Sequence, residues 1–110
     1  MANTFKNAAL ADVNNAAYDT LYTAPASTTT VILGVAITNK ASNSVTVQVQ
    51  FSDSSAASTH QLLEDVSIPA GTTLEVLAGQ KYILETGDAL KVQAGTASAI
   101  DVIAGVMEIT

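Results

Sequence analysis

The chain has 110 residues, ten acidic against four basic, and a net charge of −6. That length supports one core, and 48% hydrophobic with only 13% charged residues excludes a disordered polyelectrolyte. The absence of cysteine excludes a disulfide scaffold and thiolate metal sites, and four lysines without arginine exclude a phosphate-neutralising groove, so no nucleic-acid partner is expected.

Residues 1–17 (MANTFKNAALADVNNAA) show no sustained alternation. Phe5, Leu10 and Val13 are isolated apolar points among Asn and Ala. The one regular element this stretch could hold is a short helix over Ala8–Val13, which is too short to persist alone. The reading is an extended N-terminal arm over 1–17 and a folded domain over 18–110. The apolar stretch Ala8–Ala11 is shorter than a signal-peptide core of about 7–15 residues, so no leader is expected. The longest apolar run, Val31–Ile37, falls far below the roughly 20 residues that span a bilayer, so no membrane partner is expected either.

Strand patterns begin at Thr20–Thr23 and stop at Pro25. Thr28–Thr38 carries Val31, Leu33, Val35 and Ile37 on one face and Ile32, Gly34 and Ala36 on the other. After the polar turn 39–44, Val45, Val47, Val49 and Phe51 alternate with Thr46, Gln48, Gln50 and Ser52. This alternation predicts a half-buried strand, paired as a hairpin with the one before it. Asp53–Ser58 has loop composition. Thr59–Leu63 and Val66–Ile68 read as short strands, or as one strand bulged at Glu64-Asp65. Pro69-Ala-Gly71 reads as a turn. Thr73–Leu77, Tyr82–Glu85 and Ala89–Gln93 follow, separated by turns at 78–80 and 86–88. The last strand, Ala99–Ile109, presents Ile100, Val102, Ala104 and Val106 on one face and Ile103, Gly105, Met107 and Ile109 on the other.

About eight short strands with Gly, Pro and Asn turns and no helical period predict an all-β antiparallel sandwich, jelly-roll or immunoglobulin-like. The predicted core includes Val31, Leu33, Val35, Ile37, Val47, Val49, Phe51, Ile103 and Val106. Two strands, Val31–Ile37 and Ile100–Ile109, are apolar on both faces. A two-layer sandwich leaves its outer faces in water, so something is expected to cover them: the arm, a second subunit or a larger assembly.

Few residues carry chemistry. His60 is the single histidine; Ser54, Ser55 and Ser58 lie near it, but no Gly-x-Ser-x-Gly elbow surrounds them. Glu64-Asp65 and Glu85/Asp88 are carboxylate pairs by proximity, without the tryptophan platforms that sugar-cleaving sites use. Asp53 with its serine loop, or Glu85/Asp88, could supply some oxygens to a calcium ion, but no Asp-x-Asp-x-Asp-Gly loop exists. No phosphate-cradling glycine motif occurs. The reading is a non-enzyme without catalytic residues, cofactor or metal.

Five phrases add a resemblance: Phe5–Val13, Thr20–Ala26, Val31–Asn39, Ile68–Val76 and Leu84–Asp88. In that order, over most of the chain, they resemble small virion structural proteins of tailed bacteriophages, of the cyanophage type. The resemblance implies a β-sandwich located in the virion, a capsid cement or decoration subunit. Its partners would be itself, as a trimer, and the major capsid protein or other virion proteins. The alternative it leaves open is a neck, tail or fibre module for recognition of host or partner. Phe5, Leu10 and Val13 are the expected interface residues, because isolated apolar side chains on an arm need a pocket elsewhere.

Overall fold

A computed structural model describes residues 2–77 and 80–110. Nine strands, and no helix, form among the described residues: β1 Asn3–Leu10, β2 Asp19–Thr23, β3 Thr29–Asn39, β4 Val45–Asp53, β5 Ser58–Ile68, β6 Thr73–Glu75, β7 Tyr82–Leu84, β8 Ala89–Ala94 and β9 Ile100–Ile109. They build two antiparallel sheets. The front sheet runs β1-β9-β3, with β7 and β6 sharing the far edge of β3 at Thr30–Ile32 and Ala36–Thr38. The back sheet runs β2-β8-β4-β5.

The chain is an all-β sandwich, and its strand order decides between the two topologies left open by periodicity. Every connection crosses from one sheet to the other except β4–β5 and the short step from β6 to β7. This is a jelly roll, with β6 and β7 together filling one strand position. One expectation is corrected here. β3 and β4 are not a hairpin; they lie in different sheets. Asn39, fully buried where β3 ends, fixes the crossing. Its side-chain amide donates to the carbonyls of Asn43 and Ile68, at 2.9 and 2.8 Å, and its oxygen accepts the Ala41 N–H. The short helix considered over Ala8–Val13 does not form. Residues 3–10 are the first strand of the roll, paired with β9 from Asn3↔Ile109 to Leu10↔Val102.

The core fills the space between the sheets. Ile32, Val35 and Ile37 from β3, Val47 and Val49 from β4, Leu90 and Val92 from β8, and Ile100, Val102 and Val106 from β9 are all buried. Of the other predicted core residues, Phe51 packs against the core from its edge, and three sit elsewhere. Val31 and Phe51 are half-buried, and Leu33 and Ile103 are exposed. The cause in β3 is a bulge: Ile32 pairs with Val106 and Gly34 with Gly105, leaving Leu33 as the extra residue. The inward set is therefore Thr30 and Ile32 before the bulge, then Val35 and Ile37 after it. One-residue slips of this kind exchange the two faces of a strand.

Local chemistry explains the remaining corners. Gly71 and Gly87 have φ of 70° and 87°, as their turns require. The slip expected at Glu64-Asp65 is present, since Val47 pairs with Val66 but Val49 with Leu63. The turn expected at 78–80 lies largely outside the described residues.

A candidate assembly surface on the front sheet

The outer face of the front sheet is apolar. Reading across the strands by register, Phe5 on β1 stands beside Met107 on β9, Met107 beside Val31 on β3, and Val31 beside Ile83 on β7. This ridge crosses the whole sheet. A parallel row holds Ala9, Ile103, Ala36 and Glu75. Between them run Asn7, Gly105 and Gly34, with Leu33 turned out at the bulge. Phe5 is 72% exposed, Ile103 60%, Ile83 52% and Leu33 39%. These are the exposed large hydrophobics among the described residues, and all four belong to this one face.

A Cβ added to Gly34 or Gly105 would meet nothing within 4 Å, and neither glycine has the positive φ that demands one. The row they occupy is therefore a hollow. About 13 Å of strand separates Met107 from Ile103, at about 3.3 Å per residue, with only Gly105 between them on this face.

The outer face of the back sheet is the opposite kind of surface. Thr46, Gln48, Gln50 and Ser52 of β4 lie beside Gln93 and Lys91 of β8. Tyr18 donates to Gln48 Oε1, and Gln48 donates to Asp65 Oδ1 at 2.6 Å. A polar hollow of about 220 Å³ lies there, lined by Asn15, Thr46, Gln48, Asp65 and Gln93.

The three expected interface residues separate. Phe5 is exposed on the ridge. Leu10 is half-buried and packs against the core. Val13 is fully buried in the core of its own chain, with its N–H bonded to the carbonyl of Ile100 at 2.9 Å. Sequence reasoning missed Ile83 and Met107 as surface groups. Alternation separated the two faces of β9 without showing that Ile103 faces out, and the one local sign of the β3 bulge was Gly34 beside it.

The polar clusters are structural in their partners. His60 lies exposed on β5, with Ser58 Oγ at 3.1 Å from Nε2. Asp53 accepts the Ser55 hydroxyl and the Ala56 N–H, and these bonds hold its carboxyl below the usual range. Asp88 is buried and accepts the N–H groups of Ser54 and Glu85, both at 3.0 Å, clamping two loops. Lys40 bridges Asp12 and Asp101 at 2.6 and 3.0 Å. The Asp12 N–H and then Lys40 lower the Asp101 carboxyl. Glu108 is buried between sheets, bonded to the Tyr22 hydroxyl and paired with Lys6 at 3.0 Å. Among the described residues, no three of His, Asp and Glu gather in a way that could hold a metal ion, and no helix is long and apolar enough to cross a membrane.

No family model matches the chain, and no curated protein matches it in sequence. Solved structures match it in shape. A pilus protein of Bacillus endospore appendages is 12% identical, with a TM-score of 0.55, over 98% of this chain and 88% of the other. A chain from the capsid of a Helicobacter pylori bacteriophage is 12% identical, with a TM-score of 0.57, over 100% and 89%. A chain of the infectious bursal disease virus particle is 7% identical, with a TM-score of 0.58, over 96% of this chain. This chain spans 30% of the length of that viral protein. At such identities the likeness is one of fold: this chain shares the β-sandwich of viral capsid proteins and of a pilus protein.

Proposed function

We propose that the chain is a non-enzymatic structural subunit of a virus particle, a self-associating capsid cement or decoration protein. One observation carries the reading: one face of the sandwich is apolar across its full width while the other is polar. Such a face in water is a surface waiting for protein, since a patch of this kind marks an interaction site. Jelly rolls serve widely as capsid domains, which agrees with the fold neighbours. Among the three expected interface residues, Phe5 is the one free to reach a pocket on another protein. His60 lies exposed on β5 with the Ser58 hydroxyl at 3.1 Å and the Asp53 carboxylate within charge range, and Asp53 is hydrogen-bonded to Ser55 and Ala56.

An electron-microscopy map of the particle tests this. The expected result is density for the chain on the outer shell, in many copies. Purified particles lacking the chain would overturn it. The neck, tail or fibre reading has one feature in its favour, the polar hollow on the back sheet. Density confined to the tail, with that hollow facing outward, would select it.

A further inference from the structure

We propose that the outer face of the front sheet is occupied by a second copy of this chain, packed face to face about a twofold axis. The ridge Phe5–Met107–Val31–Ile83 of each copy lies along the hollow over Gly34 and Gly105 of the other. The inference names the partner of the face on which the proposed function rests, but it concerns the isolated protein and does not need a particle.

Three features select a second copy. The first is shape. Ridge and hollow lie side by side on the same face, so one surface contains both halves of a contact, and a twofold rotation brings each half onto its complement. A strand glycine marks a bulge or a place where another backbone approaches closely: Gly34 adjoins the β3 bulge, and Gly105, with no bulge, positive φ or internal crowding to require it, marks the approach. Sheets packed this way sit about 10 Å apart with interdigitating side chains. Leu33 and Ile103 flank the hollow and would close its two sides.

The second feature is charge. Each chain carries a net charge of −6, so two copies repel unless the meeting surfaces are neutral. The ridge and the glycine row contain no ionisable side chain. Of the charged groups of this sheet, Glu75 shares the row of Ile103 and Ala36 beside the hollow, Asp101 lies one outward position beyond that row, and Lys6, exposed on β1, pairs with buried Glu108 at 3.0 Å. On the back sheet the same meeting would set Asp65 and Lys91 of each copy into the contact.

The third feature is area. Four strand positions at about 4.8 Å, and the ten residues of β9 at about 3.3 Å each, give the whole face, its Glu75 and Asp101 end included, a footprint of about 600 Å² per copy. Full overlap of two copies would remove about 1,200 Å² from water, the lower limit of a specific, stable interface.

Sedimentation equilibrium of the purified chain tests the proposal, with two variants beside it. The wild type is expected to reach twice its 11.2 kDa mass at about 100 μM. Gly105→Thr fills the hollow with a side chain that suits a strand, so it should weaken the dimer at least about tenfold while the dilute chain melts no lower than wild type. Ile103→Lys places a charge at the side of the hollow on a residue already in water, so it reads the same interface even if Gly105→Thr unfolds. It too should weaken the dimer at least about tenfold. A wild-type mass of one chain, or of three, overturns the proposal. So does a dimer whose affinity stays within about twofold of wild type in Ile103→Lys. A monomeric wild type found on the capsid would leave the capsid-subunit reading standing without its self-association, and a dimer missing from the particle would leave only this one.

Discussion

The two sheets bury similar inner faces and differ outside. Inward, β3 and β9 contribute Ile32, Val35, Val102 and Val106, and β4 and β8 contribute Val47, Val49, Leu90 and Val92. Outward, the back sheet presents amides, hydroxyls and a lysine, and the front sheet presents Phe5, Leu33, Ile83 and Ile103. The inner faces answer to folding, because burying an aliphatic side chain contributes about 1.5–3 kcal/mol. The front outer face gains little of that in a single chain. The contrast therefore teaches that the fold of one chain does not account for these residues, and that hydrophobicity along a strand says how much is covered without saying by what.

The largest effect expected comes from cutting the first strand at two places. Removing residues 2–10 takes away β1 and its hydrogen bonds to β9, and leaves Val13 in the core. Removing residues 2–16 also withdraws Val13 and the Val13–Ile100 and Asp12–Asp101 bonds. Emptying the Val13 site alone costs about 1.5–3 kcal/mol, against a total stability of about 5–15 kcal/mol for a domain. The shorter deletion should keep a cooperative β transition in far-UV circular dichroism, with lower solubility from the bare β9 edge. The longer one should lose that transition. A cooperative transition in both would make residues 1–17 a separable arm. Loss in both would make β1 indispensable to the front sheet.

Next come point changes on the two faces of the front sheet. Ile32→Ala empties a fully buried site and should cost about 2–5 kcal/mol in urea unfolding. Ile103→Ala, measured where the chain is dilute, should stay within about 0.5 kcal/mol of wild type. Equal losses at the two positions would mean that the outer face is already covered within one chain.

The same contrast explains what the sequence made legible. Strict alternation in Val45–Ser52 marked inner and outer positions correctly; in Ile100–Ile109 it separated two apolar faces without showing which is inward, and Ile103, expected in the core, is exposed. Alternation failed in β3, where a bulge at Leu33 swaps the parity with no glycine at positive φ or proline to announce it. β1 stayed hidden for another reason. Its core-side positions are Thr4 and Lys6, which stay exposed, and Ala8 and Leu10, which are half-buried, and the lysine pairs with Glu108 on the neighbouring strand. No local pattern can reveal a core-side charge whose partner lies about a hundred residues away. The β3–β4 crossing was equally nonlocal, resting on the bond from Asn39 to the carbonyl of Ile68. Of the candidate surface, the grouping of Ile103, Gly105 and Met107 on one face of β9 was readable; that this face is the outer one, and that it joins Phe5 and Ile83 into one ridge, needed the register.

The smallest effect concerns the rim where the sheets meet. Glu108 of β9 lies between the Tyr22 hydroxyl from β2, Lys6 from β1, and Thr30 of β3, whose Oγ1 is 2.9 Å from that hydroxyl. The Tyr22 hydrogen bond, then Lys6, hold the Glu108 carboxyl below its ordinary value. Burial first, and the bond to Glu108 second, push Tyr22 up to about 12. For Glu108 the folded state binds its proton less readily than the unfolded chain, so its contribution is present above the usual carboxylate range of about 4.3 and is lost as pH falls below it. For Tyr22 the folded state holds its proton more tightly, so its contribution is present below the usual value of about 10 and is lost as pH rises toward about 12. Urea midpoints measured against pH should therefore form a plateau between these limits. Glu108→Gln should flatten the acid limb without abolishing it, since Asp53 and Asp101 also have lowered carboxyls. Tyr22→Phe should remove much of the alkaline limb. In the chain lacking residues 2–10, Glu108 keeps Tyr22 but loses Lys6, so its acid limb should shift to higher pH by less than in Tyr22→Phe. An acid limb that moves as far in that deletion as in Tyr22→Phe would make Lys6 the stronger partner, and would place β1 among the elements that hold the two sheets together.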